Sequence, residues 1–177
     1  MAEPNKKSRR DHLKYFTLTI GGRYEYTGPV CRCQNPPAQR RALLWQLGTL
    51  CTGMAAVVIA AGCTPVAGMM NSFYVLLPYL WALLAVISVC WGFIQLLLGG
   101  EPLRRYVYDK SYARLPLRAG IVAAGAAATA AGECLYLLLH GRADVWAAVF
   151  LLCQGGLVAA ALALRGRLAC LQYTVED

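Results

Sequence analysis

The chain has 177 residues, of which 58% are hydrophobic and 15% are charged, and its formal net charge is +8. A soluble globular domain carries about a quarter charged residues, so this composition excludes an ordinary water-soluble fold. It predicts an all-α membrane protein with four transmembrane helices, arranged as two helical hairpins, and a small cytoplasmic β-hairpin or β cap.

The apolar residues are concentrated in four blocks, at residues 42–63, 73–98, 117–139 and 145–164. Each block has about 20 residues or more, enough for a helix that rises ~1.5 Å per residue to cross a hydrocarbon core of ~30 Å. None of them shows the polar stripe of a helix in a soluble bundle. Together they predict a membrane domain over residues 42–164, with an N-terminal segment at 1–41, a loop at 99–116 and a C-terminal tail at 165–177.

The basic residues are distributed asymmetrically between the connections. Sixteen of the seventeen Lys and Arg residues precede the first block, follow the second or follow the fourth, whereas the other two connections contain only Arg142. Such an excess marks the cytoplasmic side. It predicts a multi-pass protein of the cell membrane, of the bacterial inner-membrane type, with both termini in the cytoplasm.

The same basic residues suggest a partner. Clustered Lys and Arg next to a membrane span attract anionic lipid headgroups, so the lipid bilayer is the predicted partner and nucleic acid is not. The alternative is that these residues are solvated anchors at the interface. Five candidates for headgroup contacts surround the central cytoplasmic loop: Arg104, Arg105, Lys110, Arg114 and Arg118.

The N-terminal segment changes to a period of two. Residues 15–27 contain two β-prone runs around Gly21-Gly22, which predicts a β-hairpin because glycine supplies the positive φ of a tight turn. A lone hairpin is marginal in water, so we expect a third strand from residues 105–108 or 171–175. Prolines at 29, 36 and 37 predict a loop over residues 28–39.

The third apolar block has an unusual middle. Residues 123–132 are all Ala, Gly or Thr, and Glu133 follows them. Small residues allow the backbones of membrane helices to approach closely. We therefore expect this helix to be surrounded by other helices on all faces, with the Glu133 carboxyl pointing into the bundle.

Glu133 is the leading site candidate, since a carboxyl within a membrane is costly. Tyr79 lies at a similar depth in the second block, and His140 and Arg142 in the following turn are possible charge partners. Gln154, in the middle of the fourth block, is expected to bridge helices. Two interpretations of Glu133 remain open: a structural tether or solvated edge residue, and a residue that binds an ion or ligand.

The eight cysteines predict no metal or redox site. The chain contains no Cys-x-x-Cys pair, and Cys31 and Cys33 supply only two of the four ligands that a structural zinc site needs. Within the apolar blocks, cysteine behaves as a small apolar residue. We expect no cofactor, no metal and no catalytic residue.

Two functional classes fit this pattern. The first is a non-enzymatic accessory, regulatory or scaffold protein that binds other membrane proteins, or copies of itself, through its helices. The alternative is a small transport or ligand-binding subunit that uses Glu133, and four short helices enclose so little volume that a transport pathway would need an oligomer.

Overall fold

The structure, a computed structural model, describes residues 16–18, 24–26, 28–100, 102–141 and 144–176. Within these residues four helices are long and apolar enough to cross a membrane, as the four blocks predicted. They are α1 (Pro37–Gly62), α3 (Phe73–Leu98), α5 (Leu115–His140) and α6 (Val145–Ala169). Two short helices accompany them, α2 (Ala67–Asn71) and α4 (Arg105–Lys110), and a 3-10 turn (Tyr112–Arg114) precedes α5.

The four long helices form a bundle in which each helix has two neighbours. The contacts of α3 with α5 and of α5 with α6 are the most extensive, α6 also packs against α1, and the contact between α1 and α3 is smaller. Each long helix buries residues spaced three or four apart, such as Leu47, Cys51, Met54 and Val58 of α1. The core therefore lies along the axis of the bundle.

Two helices begin earlier than the sequence predicted, and prolines explain both differences. Pro37 occupies the first turn of α1, and Pro116 occupies the first turn of α5. The first-turn N–H groups of a helix have no intrahelical partner, so proline costs little there and its fixed φ suits the helix. The helix α6 also continues to Ala169, so the C-terminal tail is shorter than the predicted 165–177.

The helices α3 and α5 approach most closely through the glycines of α5. A Cβ at Gly125 would lie 3.1 Å from the Ala82 Cβ, and one at Gly132 would lie 3.0 Å from the Tyr74 carbonyl oxygen. Pro78 has no N–H to donate to that carbonyl four residues earlier. Gly132 thus allows α5 to pack against the Tyr74 carbonyl group, which receives no helical hydrogen bond because residue 78 is proline.

The expectation that α5 is surrounded by helices on all faces is wrong. Its core-facing residues include Val122, Ala126 and Thr129, but small residues on the opposite face are exposed. These are Ala124, Ala127, Ala128 and Ala131. The reason is the bundle geometry, since a helix with two large neighbours keeps one face free.

The β structure differs from the prediction in its pairing. The hairpin is present, with β1 (Phe16–Leu18) antiparallel to β2 (Tyr24–Tyr26). In the described residues the additional strands pair with β3 (Val30–Cys33) instead of the hairpin, and the order is β4 (Leu103–Arg104), β3 and β5 (Tyr173–Glu176). Residues 28–39 are therefore a strand followed by the start of α1, and residues 105–108 belong to α4.

This three-stranded sheet closes one end of the bundle, here called the sheet end. Cys31, Leu103 and Leu171 are buried there. The Tyr112 hydroxyl donates to the carbonyl oxygens of Leu168 and Leu171, at 2.7 Å from each, and so covers the C-terminal end of α6. The described residues of the loop predicted at 99–116 thus include a strand, a helix and a 3-10 turn.

Further hydrogen bonds attach the bundle to this layer. The Asn35 amide donates to the Cys170 carbonyl oxygen at 3.2 Å, and its oxygen accepts from the Gln172 N–H at 3.0 Å. Ser111 is fully buried, and its hydroxyl donates to the Gln95 Oε1 at 3.0 Å. These polar side chains at the sheet end therefore have partners, as expected where they serve packing.

The opposite end, here called the α2 end, is covered by α2. The Thr64 hydroxyl donates to the Ala61 carbonyl oxygen at 2.6 Å, and the chain then turns into α2. The Ser72 N–H donates to the Gly68 carbonyl oxygen at 3.0 Å and closes the short helix. This places α2 against α3 and α5.

Candidate functional site

Glu133 lies in the interior of the bundle, directly beneath α2. Its side chain is 1% exposed, and its Oε2 atom has no hydrogen-bond partner among the described residues. A Cβ at Gly68 of α2 would overlap this oxygen and would lie 2.8 Å from the carboxyl carbon. Only a residue without a side chain allows α2 to lie over the carboxyl so closely.

None of the expected partners reaches Glu133 in the part of the chain that the structure describes. The Tyr79 hydroxyl donates instead to the Val58 carbonyl oxygen of α1 at 2.8 Å. The His140 ring stacks on Tyr136 with 4.2 Å between centroids, and its Nδ1 lies 3.1 Å from the Tyr136 carbonyl oxygen. Arg142 lies outside the described residues. The predicted pairing of Glu133 with Tyr79 or His140 is therefore wrong.

Tyr79 is held in its position by α1 and α6. A Cβ at Gly62 would overlap the Tyr79 hydroxyl, so glycine makes room for its hydrogen bond to the end of α1. The Tyr79 ring also contacts Phe150 of α6, with 6.2 Å between the centroids. Tyr79 therefore connects three helices near the α2 end and is a packing residue.

Gln154 is the second buried polar side chain without partners. It is 1% exposed, and neither its Oε1 nor its Nε2 makes a hydrogen bond within the described part of the chain. The predicted bridge between helices is not formed. Counted from the ends of α5 and α6, Glu133 is ~11 Å and Gln154 ~14 Å from the α2 end, so their levels differ by ~3 Å.

Glu133 and Gln154 are two polar side chains in an otherwise apolar interior, and each has atoms without a hydrogen-bond partner among the described residues. A buried carboxylate or amide normally has hydrogen-bond partners, and one without them costs free energy. A proton would neutralise the carboxyl, and a small cation would be coordinated by carboxylate and amide oxygens. We refer to Glu133 and Gln154 as the buried polar residues of the bundle, and α2 covers Glu133.

The five basic candidates at the sheet end have different surroundings. The Arg118 guanidinium donates to the Ser88 carbonyl oxygen at 2.9 Å and to the Lys110 carbonyl oxygen at 3.4 Å. The Lys110 ammonium donates to the Tyr106 hydroxyl at 2.9 Å. The other three candidates are exposed: Arg104, Arg105 and Arg114. Contact with headgroups remains a prediction for all five.

The described residues contain no group of three or more His, Cys, Asp or Glu that could hold a metal ion. Burial, and then the charge of Asp109, raise the pKa of the Cys31 thiol, which disfavours the thiolate that a metal needs. The Cys90 thiol lies against α1, where it donates to the Cys51 carbonyl oxygen at 3.7 Å. Sequence spacing gave no sign of that contact, because the two residues belong to different helices.

Sequence reasoning also missed two residues that shape the ends of the bundle. Gly68 covers the carboxyl, and Tyr112 closes the end of α6. A single glycine in a short connection and a tyrosine in a basic loop carry no local signal for these roles. Both depend on contacts with distant parts of the chain.

Comparisons of the chain with protein-family models, with curated proteins and with solved structures found no match. Any function of this chain therefore has to be inferred from the geometry of its buried polar residues.

Proposed function

We propose that this chain is a small, multi-pass membrane protein that binds a proton or a small cation at Glu133, as a transport or ligand-binding subunit. One observation carries the proposal: the Glu133 Oε2 is buried and has no partner among the described residues. A tether would hydrogen bond across helices, and a solvated edge residue would be exposed. The burial of Glu133 and the lack of a described partner for its Oε2 therefore support the binding proposal over these two alternatives.

The free-energy cost of a buried carboxylate supports this proposal without reference to any protein family. An ionised carboxylate without a partner is strongly disfavoured in apolar surroundings, and intramembrane acidic residues are functional candidates for that reason. A bound proton or cation removes the uncompensated charge. Gln154 adds an amide oxygen and two N–H donors on the neighbouring helix, which suits a ligand better than an apolar residue would.

Membrane placement is part of the proposal. The helices are long and apolar enough to cross a bilayer. About twenty residues of α5, from Arg118 to Leu138, span the ~30 Å of a hydrocarbon core. The basic residues lie around the sheet end, so we place that end and both chain termini in the cytoplasm. Glu133 then lies in the half of the membrane away from the cytoplasm.

A hydrophobic carbodiimide tests the carboxyl directly. Dicyclohexylcarbodiimide enters apolar regions and adds to a protonated carboxyl to give a stable N-acylurea, which mass spectrometry locates. We expect labelling of Glu133 in the full-length protein in liposomes, and its loss in Glu133→Gln. If the ligand is a cation, Na⁺ or K⁺ protects the residue, whereas a proton site loses reactivity as the pH rises.

The matched control is Asp109→Asn, which removes one acidic charge from the exposed face of α4. It should leave the labelling of Glu133 unchanged. Glu133→Gln should change the free energy of unfolding by less than ~1 kcal/mol, because the Oε2 loses no hydrogen bond. Absence of labelling, or unfolding of Glu133→Gln, would show that the carboxyl is structural and would refute this function.

A second candidate, an accessory or scaffold protein, is favoured by the outer faces of α1 and α6. Exposed small residues four apart follow one another on both helices: Thr52, Ala56 and Ala60, and Gly155, Ala159 and Ala163. Such ridges favour close packing with another membrane helix. Transport of a proton or cation by the purified protein in liposomes would argue against a purely accessory role.

A further inference from the structure

A groove on the outside of the bundle runs between α3 and α5. It has a volume of about 440 Å³ and is open to one side. Eight residues line it: Leu77, Leu80, Trp81, Leu84, Ala85, Ser88, Arg118 and Ile121. Six of these residues belong to α3, and Arg118 and Ile121 belong to α5.

Arg118 is the charged group of this otherwise apolar groove. Its guanidinium donates to the carbonyl oxygens of Ser88 and Lys110, which leaves three of its five N–H groups available. Within the described residues Arg118 makes no ion pair. A Cβ at Gly92 would lie 2.7 Å from the Arg118 Nη1, so the glycine makes room for the guanidinium against α3.

The dimensions of the groove match one leaflet of a bilayer. Ser88 and Leu77 lie at its two ends along α3, and about eleven residues of helix correspond to ~16 Å. Half of a ~30 Å hydrocarbon core is nearly the same length. Arg118 lies ~30 Å from Leu138 along α5, so its guanidinium is at the level where headgroups begin.

We propose that this groove binds one anionic phospholipid of the sheet-end leaflet, with its phosphate on Arg118 and an acyl chain along Leu84, Trp81 and Leu77. The guanidinium matches phosphate oxygens in two-point contact, which an ammonium does not. The lipid supplies the anion that the described part of the protein does not provide for Arg118. This site is separate from Glu133 and does not depend on the function proposed for that residue.

Trp81 is a reporter inside the groove, since it is 68% exposed in the protein alone and lines the site. The full-length protein with Trp45, Trp91 and Trp146 changed to Phe keeps only this tryptophan. Bilayers of phosphatidylcholine then contain a minor fraction of brominated phosphatidylglycerol or, in parallel, the same fraction of brominated phosphatidylcholine. Bromine quenches tryptophan only at short range.

We expect phosphatidylglycerol to occupy the groove about fivefold in preference to phosphatidylcholine, the ratio that ~1 kcal/mol per basic residue produces. Bromines in the half of the acyl chain farther from the headgroup should quench Trp81 more than bromines beside the headgroup. The reason is that Trp81 lies ~10 Å from Ser88 along α3. Equal quenching by the two lipids in the unaltered groove would overturn the proposal.

Two variants of Arg118 test whether the preference for phosphatidylglycerol depends on this residue. Arg118→Gln should remove it, and Arg118→Lys should retain only part of it. Arg114→Gln is the matched control, because Arg114 is an exposed basic residue of the same region that does not line the groove. An equal loss in Arg114→Gln and Arg118→Gln would indicate general attraction to the basic surface and would also overturn the site.

Discussion

Several polar side chains at the two ends of the bundle differ in their hydrogen bonding. At the sheet end, the hydroxyls of Tyr112 and Ser111 and the amide of Asn35 all have hydrogen-bond partners. Towards the α2 end, Glu133 and Gln154 are buried with atoms that have no partner in the described residues. Groups with hydrogen-bond partners specify packing, whereas a buried polar group without one needs an explanation, and a bound proton or cation is the one proposed above for Glu133. This contrast is the reason for proposing a packing role for the three sheet-end groups and a binding role for Glu133.

The largest effect is expected where α2 covers the carboxyl. Gly68→Ala places a methyl group on the Glu133 carboxyl, which is only 1% exposed, so the carboxyl or α2 must shift to make room. We expect a loss of ~1–3 kcal/mol in the free energy of unfolding, as for an overpacked core. Thermal unfolding in detergent measures it. In the Gly68→Ala/Glu133→Ala double variant the loss should become smaller, and an equal loss would contradict the contact.

Tyr112→Phe tests the hydrogen bonds at the sheet end. It leaves the Leu168 and Leu171 carbonyl oxygens without their donor while the ring is retained, and we expect a loss of ~1–2 kcal/mol. The variant retains the aromatic contacts of residue 112 with Tyr108 and Tyr173, whose ring centroids lie 5.3 and 4.9 Å from that of Tyr112. These contacts do not involve the hydroxyl, so a loss of stability would report on the hydrogen bonds alone. A variant as stable as the original protein would refute the structural role of this hydroxyl.

The pH dependence of the free energy of unfolding provides a second test of the Tyr112 hydroxyl. Burial, and then the neighbouring tyrosines, raise the pKa of Tyr112 above the ordinary value of about 10. The folded state then holds the phenol proton more tightly than the unfolded state. This stabilisation is complete below pH ~10 and is lost as the pH rises further. The difference in stability between the unaltered protein and the Tyr112→Phe variant should therefore narrow in alkali, as unfolding measured at pH values above ~10 would show.

Gln154→Leu is expected to have the smallest effect. The amide makes no hydrogen bond in the described structure, so replacing it with an apolar residue of similar size loses little and removes an unsatisfied group. We expect a change within ~1 kcal/mol, in the stabilising direction. Asn35→Leu, the control at the sheet end, loses three hydrogen bonds and should be destabilising. Strong destabilisation by Gln154→Leu would mean that the amide has a structural role.

The helices were predictable because their signal is local. The second block, residues 73–98, coincides with α3, and the other three differ from their helices at the ends by a few residues. A run of apolar residues needs no knowledge of the fold to be recognised as a helix of membrane length. The tandem β-prone runs of the hairpin are local in the same way.

The pairing of β3 was not predictable, since its partners come from residues far apart in the sequence. The sequence pattern showed that Leu171 to Val175 alternates as a strand does, but any exposed edge at the same end satisfies that pattern. Only the position of α6 brings β5 to β3. The Gln34 N–H, for example, donates to the Gln172 carbonyl oxygen at 2.9 Å.

The sequence was enough to identify four helices that are long and apolar enough to cross a membrane and to single out Glu133 as a carboxyl that needs an explanation. The environment of this carboxyl depends on the tertiary structure. Helical periodicity indicates that Glu133 can face the core, but only the fold brings Gly68 over its oxygen and turns Tyr79 and His140 to other partners. Hydropathy is a property of local composition, whereas the satisfaction of a buried group depends on which distant atoms the fold brings near it.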